Sequence, residues 1–137
     1  MPKNLVEDFL NRGAGFLPGL IGIEFLTIEP GRTEARLPIR RELLAPNGYL
    51  HAASVVALAD TACGFGTIAT LPEGAANFTT IELKSNFVGT VTDGAIRCDA
   101  TCLHRGKKTQ VWDAVVKDEA SGRVLALFRC TQMLITA

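Results

Sequence analysis

The fold of this chain is decided by one stretch, His51-Ala-Ala-Ser-Val-Val-Ala-Leu-Ala-Asp60-Thr-Ala-Cys-Gly-Phe-Gly-Thr-Ile-Ala-Thr70. As a helix it would be apolar on nearly every face, and between Leu43 and Pro72 the one formal charge is that of Asp60. A helix of this composition is typical of a protein core. Because an unpartnered carboxylate is costly to bury, Asp60 is predicted to be ion-paired, protonated or facing a pocket.

The segments on both sides of this helix predict strands joined by tight turns, among them Glu29-Pro30-Gly31-Arg32. The predicted order is a helix over 3–12, strands over 21–28 and 33–39, the helix over 52–70, and strands over 78–88, 95–104, 107–118 and 123–135. Strands that follow one another without helices favour an antiparallel sheet. We predict an α+β fold in which residues 1–137 form one domain, with a six-stranded sheet around the long helix. Such a sheet leaves part of the helix uncovered, which favours a homo-oligomer.

The composition fits an ordinary globular domain, with 47% apolar and 20% charged residues. A formal net charge of zero favours neither nucleic acid nor an anionic membrane as a partner. The segment over 52–71 approaches transmembrane length, but the charge of Asp60 at its centre makes a core helix the better interpretation. The N-terminal sequence does not have the pattern of a signal peptide.

The cysteines are spaced without any Cys-x-x-Cys pair, and the chain has only 2 histidines. A zinc site is therefore not expected, and we predict reduced thiols, a cytoplasmic location and no cofactor. These cysteines are Cys63, Cys98, Cys102 and Cys130.

The start of the long helix is the first candidate site. Asn47-Gly48 predicts a turn that leads directly into His51 and Ala52. Free backbone N–H groups and the positive end of the helix dipole meet at such a place and can stabilise a developing oxyanion. The same residues also fit a plain turn in which His51 only caps the helix.

Asp60 is the second candidate site. Its neighbours on the same helical face are small or medium apolar residues, which leave room for a ligand and provide no cation: Val56, Ala57, Cys63 and Gly64. Burial would raise the pKa of Asp60, which suits a general base near neutral pH. Backbone amides or an arginine from a strand would explain the carboxylate equally well.

Two further patterns have less specific interpretations. Residues 104–108, His-Arg-Gly-Lys-Lys, lie between two predicted strands and suit either a phosphate group or a solvated hairpin tip. Gly64-Phe-Gly66 resembles a dinucleotide-binding fingerprint, but it lies within a helix and follows no strand. We therefore expect Gly64 and Gly66 to be packing glycines.

Asn47-Gly-Tyr-Leu-His51-Ala52-Ala53, followed by Leu58-Ala59-Asp60, resembles the motif of the hotdog-fold acyl-CoA thioesterases. The closest resemblance is to the phenylacetic-acid-degradation (PaaI) type, which includes 4-hydroxybenzoyl-CoA thioesterases. That family carries Asn-x-x-x-His-Gly-Gly and then a carboxylate seven residues after the second glycine. The predicted order of elements also matches over nearly the whole chain. The resemblance implies a hotdog fold and hydrolysis of aryl or short- to medium-chain acyl-CoA thioesters.

The resemblance also implies a role for each matching residue. Asp60 would be the general base or the nucleophile, and Thr80 would position the attacking water. The N–H of Ala52 would hold the carbonyl oxygen with Asn47 nearby, and His51 would order the turn.

The CoA moiety would contact Ala53, Arg105, Gly106 and Lys107. Sites of this family lie between two subunits of a homodimer or homotetramer. Asp60 of one subunit would therefore face the turn over 47–52 of the other.

The chain departs from the family motif in two respects. His-Ala-Ala replaces His-Gly-Gly, and the Cβ of Ala52 narrows the approach to the thioester. Thr80 has strand parity opposite to Ile81, Leu83 and Phe87, so that it faces the site only if a β-bulge intervenes. Alternatives are a non-catalytic acyl-CoA-binding protein, a 3-hydroxyacyl thioester dehydratase that uses His51, and a structural dimer with Asp60 paired to an arginine.

Overall fold

The computed structural model describes residues 3–136, with side chains from residue 6 onward. The elements within that range are α1 (Lys3–Gly13), α2 (Leu17–Ile21), β1 (Glu24–Glu29), β2 (Arg32–Pro38), a 3₁₀ turn (Arg41–Leu43), α3 (Ala52–Ala69), β3 (Ala75–Phe87), β4 (Ala95–Arg105), β5 (Thr109–Asp118) and β6 (Val124–Thr136). The predicted order of helices and strands is confirmed, with α2 as an addition. The predicted bounds of the long helix are correct to one residue.

The first predicted strand was wrong at its start. Residues 17–21 form α2, with Pro18 in the first turn, where a proline costs no helical hydrogen bond. Gly22 ends α2 with φ +89°, a left-handed conformation that favours glycine. β1 consequently begins at Glu24 and not at Ile21.

The six strands form one antiparallel sheet in the order β1-β2-β4-β5-β6-β3. β3 has 13 residues, lies at one edge and pairs only with β6. The predicted α+β architecture, a long helix wrapped by a six-stranded sheet, is therefore confirmed. The order of the strands leaves the whole outer side of β3 open.

The core lies between α3 and the inner face of the sheet. Leu58 and Ile68 of α3 and Trp112 of β5 are fully buried. Gly66 allows the closest approach, since a Cβ there would lie 2.4 Å from the Trp112 ring, which confirms the interpretation as a packing glycine. By length and composition α3 could cross a membrane, but 61% of it is buried within this fold, as in a core helix.

A β-bulge in β3 decides which way its side chains face. Thr80 pairs with Gln132 and Glu82 pairs with Thr131, so that Ile81 is the extra residue. Thr80 therefore faces α3 although its parity in sequence is opposite to that of Leu83. The bulge that the sequence required for Thr80 is present.

Candidate active site

The turn before α3 is held by its own backbone and by one side chain. The N–H of Ala45 donates to the carbonyl oxygen of Tyr49 at 2.7 Å, and the N–H of Tyr49 donates to Oδ1 of Asn47 at 3.1 Å. Gly48 has φ +92°, which explains the glycine at this position. Asn47 thus fixes the shape of the turn that delivers the chain into α3.

His51 caps the helix. Its Nδ1 accepts from the N–H of Ala53 at 2.9 Å, and its carbonyl oxygen accepts from the N–H groups of Ser54 at 2.9 Å and Val55 at 3.4 Å. The cap predicted from the sequence is therefore present. Three of the first four N–H groups of α3 are bonded in this way, and the fourth belongs to Ala52.

The N–H of Ala52 has no hydrogen-bond partner within residues 3–136. Ala52 is exposed and borders an apolar cavity of about 130 Å³, whose other lining residues are Leu50, Val55, Phe87, Gly89, Thr90 and Leu125. A free donor at the positive end of a helix, beside an apolar cavity, is the arrangement that stabilises an oxyanion.

The cap gives a first testable prediction. We expect His51→Ala to lower the free energy of unfolding by about 1 kcal/mol, because the N–H of Ala53 loses its acceptor. Chemical denaturation measures this loss. His51→Asn is the matched control and should keep most of the stability, since asparagine is a good N-cap. Equal stability of the alanine variant and the wild type would contradict the capping role.

Asp60 lies near the middle of α3 and is half-buried. Oγ1 of Thr80 lies 3.5 Å from its Oδ1. Burial raises the pKa of Asp60, and the neighbouring hydroxyl of Thr80 opposes this rise. None of the side chains described from residue 6 onward places a cation on Asp60. Of the alternatives that the sequence left open, the arginine partner is thus not found within one chain.

The cysteines are free thiols, and three of the four are buried. Burial raises the pKa of Cys98, and the pKa of Cys63 is raised by a hydrogen bond with Cys130 and then by burial. Protonated thiols are poor nucleophiles. Asp60 is therefore a better candidate for attack on a carbonyl than Cys63, which lies one turn further along α3.

Gln132 was not found from the sequence. It faces inward from β6 and is fully buried, and its Oε1 accepts from the hydroxyl of Thr80 at 2.6 Å. The signal was one amide among the core-facing positions of β6, whose other members from Ala126 to Leu134 are apolar.

Within one chain, the two ends of the candidate site are far apart. Ala52 and Asp60 are eight residues apart on one helix, which is about 12 Å along its axis. A single carbonyl group cannot contact both at hydrogen-bond distance. Ala52 and Asp60 of the same chain therefore cannot act on the same carbonyl group.

The cationic turn, residues 104–108 at the junction of β4 and β5, lies near the C-terminal end of α3. Thr70, which follows the helix, accepts from the N–H of Gly31 at 2.9 Å. The guanidinium of Arg105 covers Gly31 so closely that a Cβ there would lie 2.6 Å from it. Since 18 residues of helix span about 27 Å, Arg105, Gly106 and the exposed Lys107 are not near Ala52 of the same chain. Their contact with CoA stays a prediction.

Comparison with known proteins gives a consistent family. The model of the thioesterase superfamily matches residues 47–125. A 1,4-dihydroxy-2-naphthoyl-CoA hydrolase of Listeria monocytogenes is 32% identical over 111 residues, which cover 81% of this chain and 89% of the relative. A proofreading thioesterase, EntH, of Klebsiella pneumoniae is 32% identical over 85% of this chain and 81% of its own length. A thioesterase family protein of Silicibacter pomeroyi has a solved structure with TM-score 0.86 and 28% identity, covering 96% of both chains.

Proposed function

This chain belongs to the thioesterase superfamily and is a thioester hydrolase with the hotdog fold, and on that premise we propose that its substrates are acyl-CoA thioesters. The observation that carries the proposal is Asp60, a half-buried carboxylate beside Thr80 that receives no cation from the side chains of residues 6–136. The products are a carboxylic acid and CoA. The Listeria relative is named as a 1,4-dihydroxy-2-naphthoyl-CoA hydrolase, and the aromatic acyl group in that name supports an aryl acyl group beside short- and medium-chain ones.

In the proposed reaction the thioester carbonyl lies between Asp60 of one subunit and Ala52 of the other. Asp60 either removes a proton from the attacking water or attacks the carbonyl itself. The free N–H of Ala52 stabilises the negative charge that develops on the carbonyl oxygen. The C–S bond then breaks, and the sulfur of CoA leaves as the thiol or thiolate. Where Asp60 itself attacks, water then hydrolyses the anhydride formed on its carboxylate, which releases the acid and restores Asp60.

The open edge of β3 supports assembly of two subunits. A long unpaired edge strand is normally covered in a native protein. Ile81, Leu83 and Phe87 of β3 are exposed by 54%, 43% and 46%. Pairing of β3 with β3 of a second copy would cover them and bring the uncovered side of α3 to a second α3. We propose a homodimer, or a homotetramer built from it, with two sites per dimer.

The same assembly gives the cationic turn a role. In an antiparallel pair of helices, the end of one helix lies on the side where the other begins. Arg105, Gly106 and Lys107, which lie at the end of α3, would then flank the partner's Ala52 and Ala53. Their charge suits the phosphates of CoA.

His51 does not support the dehydratase alternative. Its Nδ1 accepts from the N–H of Ala53, which fixes the ring as the cap of α3. Ala52 and Ala53 keep their backbone N–H groups. Replacing the family glycines by alanines therefore narrows the space through which the thioester approaches, but it does not remove the N–H of Ala52.

The proposed function is tested by release of free thiol from a panel of aryl-, short-, medium- and long-chain acyl-CoAs. We expect release that is absent in Asp60→Ala. An S-acyl pantetheine series serves as the control for the CoA moiety. Hydrolysis of the pantetheine series at the same kcat/KM as the CoA series would mean that the nucleotide is not recognised, and would contradict the proposed substrate class.

A further inference from the structure

Gln132 is a buried amide whose position on the core face of β6 is not explained by packing alone. It lies on β6 between Thr80 of β3 and Gln110 of β5, and all three face α3. Its side chain is fully buried, its Oε1 accepts from Thr80, and its Nε2 has no partner within residues 3–136. A buried donor without a partner is destabilising, and an apolar side chain would avoid that loss.

Gln110 shows the contrast on the neighbouring strand. It is equally buried, but its Nε2 donates to the carbonyl oxygen of Thr70 at 3.0 Å and its Oε1 accepts from Nε1 of Trp112 at 2.8 Å. Both ends of that amide are used to hold the core together. The amide of Gln132 is bonded only to Thr80, a residue of the proposed site.

The hydroxyl of Thr80 has one proton and two acceptors within reach. Oε1 of Gln132 lies at 2.6 Å and Oδ1 of Asp60 at 3.5 Å. The shorter contact takes the proton, because a hydroxyl bond weakens rapidly beyond about 3 Å. The Thr80 oxygen then has only lone pairs left for Asp60 and for a water beside it.

We propose that Gln132 is a positioning residue for thioester hydrolysis: by accepting the proton of Thr80, it keeps that proton from Asp60 and leaves the carboxylate free to act on the attacking water or the thioester. This inference rests on the proposed function of Asp60. A carboxylate that received the Thr80 proton would be better stabilised as an anion and would be a weaker base.

Among the side chains that the structure describes, no other group near Asp60 would replace Thr80 as a hydrogen-bond donor. On α3 the nearest titratable neighbour is Cys63, and behind it on β6 is Cys130; both are buried thiols. β3 contributes only the hydroxyl of Thr80. Among the described side chains, the Thr80 hydroxyl is therefore the one donor that Gln132 can direct toward or away from Asp60.

The test is Gln132→Met, which keeps the volume and removes both ends of the amide. The Thr80 proton is then free for Asp60. We expect kcat to fall about tenfold, less than the roughly 10²–10⁴-fold of general acid–base catalysis itself, with KM little changed. The acid limb of the kcat/KM profile moves to lower pH. The melting temperature should not fall, since the lost amide had an unpartnered end.

Thr80→Val removes the hydroxyl and supplies the decisive comparison. If Gln132 acts through Thr80, the double variant has the same kcat and the same acid limb as Thr80→Val alone. Effects that simply multiply in the double variant would overturn the proposal. An acid limb of Gln132→Met that stays in place or moves to higher pH would also overturn it.

Gln110→Met is the matched control, since it removes an equally buried amide from the same face. We expect a lower melting temperature and an unchanged acid limb. Asp60→Asn separates this inference from the proposed function. If Asp60→Asn keeps full activity, the function of Asp60 is wrong; if it is inactive while Gln132→Met behaves as wild type, only the role of Gln132 is wrong.

Discussion

Asp60→Asn is expected to lower kcat by roughly 10²–10⁴-fold, because an amide neither accepts the proton of a water nor attacks a carbonyl. The substitution keeps the shape of the side chain beside Thr80. Binding of CoA and of acyl-CoA should therefore change little. Thiol release measures kcat, and calorimetry with CoA measures binding. Near-full turnover in the asparagine variant would refute the mechanism.

The same substitution should stabilise the protein at neutral pH. Burial raises the pKa of Asp60, so the folded protein binds this proton more tightly than the unfolded chain does. The stability that this group contributes is fully present below its unfolded pKa and is lost as the pH rises through the raised folded pKa. At pH 7 ionisation of this carboxyl favours the unfolded chain over the folded protein, and Asp60→Asn removes that difference.

The stability experiment compares melting temperatures of Asp60→Asn and the wild type from acid to neutral pH. We expect the advantage of the variant at pH 7 to shrink as the pH falls through the carboxyl range. Asp99→Asn, on an exposed residue of β4, is the matched control and should show no such trend. A lower melting temperature of Asp60→Asn at pH 7 would mean that the carboxylate stabilises the folded protein, which would contradict this prediction.

The fold was predictable where local pattern decides it. The single charge in an apolar stretch located α3 and Asp60 together, and turn residues separated the strands. α2 was missed because Pro18 and Gly19 usually break helices, whereas here proline occupies the first turn, where it is tolerated. The place of β3 at the edge, beside β6, depends on pairing between distant segments that no local pattern specifies.

The features of the site that depend on residue type and local spacing could be predicted from the sequence. The turn with Asn47, the cap at His51 and the burial of Asp60 follow from residue type and spacing. For Thr80 the sequence predicted only that a bulge was needed, since a bulge is set by the register against β6. Gln132 was missed because its role depends on its contact with Thr80 of the neighbouring strand, and the sequence does not show which residues pair across the sheet.

Ala52→Pro is expected to lower kcat by roughly 10²–10³-fold, the effect of losing one oxyanion donor, about 3–4 kcal/mol. Proline at the first position of a helix removes the N–H without breaking a helical bond, and its φ already suits the helix. His51 has φ −68° and ψ 136°, the extended conformation that a residue before proline adopts. The melting temperature should therefore change little. Ala52→Gly is the control, because it keeps the donor and removes the Cβ.

Two inactive variants mixed together should recover activity if each site uses both subunits. In a dimer of one Asp60→Asn chain and one Ala52→Pro chain, one site has an intact Asp60 and an intact Ala52, and the other site has neither. Random assembly makes half of the dimers mixed, so that about a quarter of wild-type activity should return. The mixture is prepared by joint unfolding and refolding, and each variant refolded alone is the control. Ala52 and Asp60 of one chain lie about 12 Å apart along α3, so that they cannot form one site together. Recovered activity would show that the two residues come from different chains. A mixture no more active than its two components would contradict the shared site.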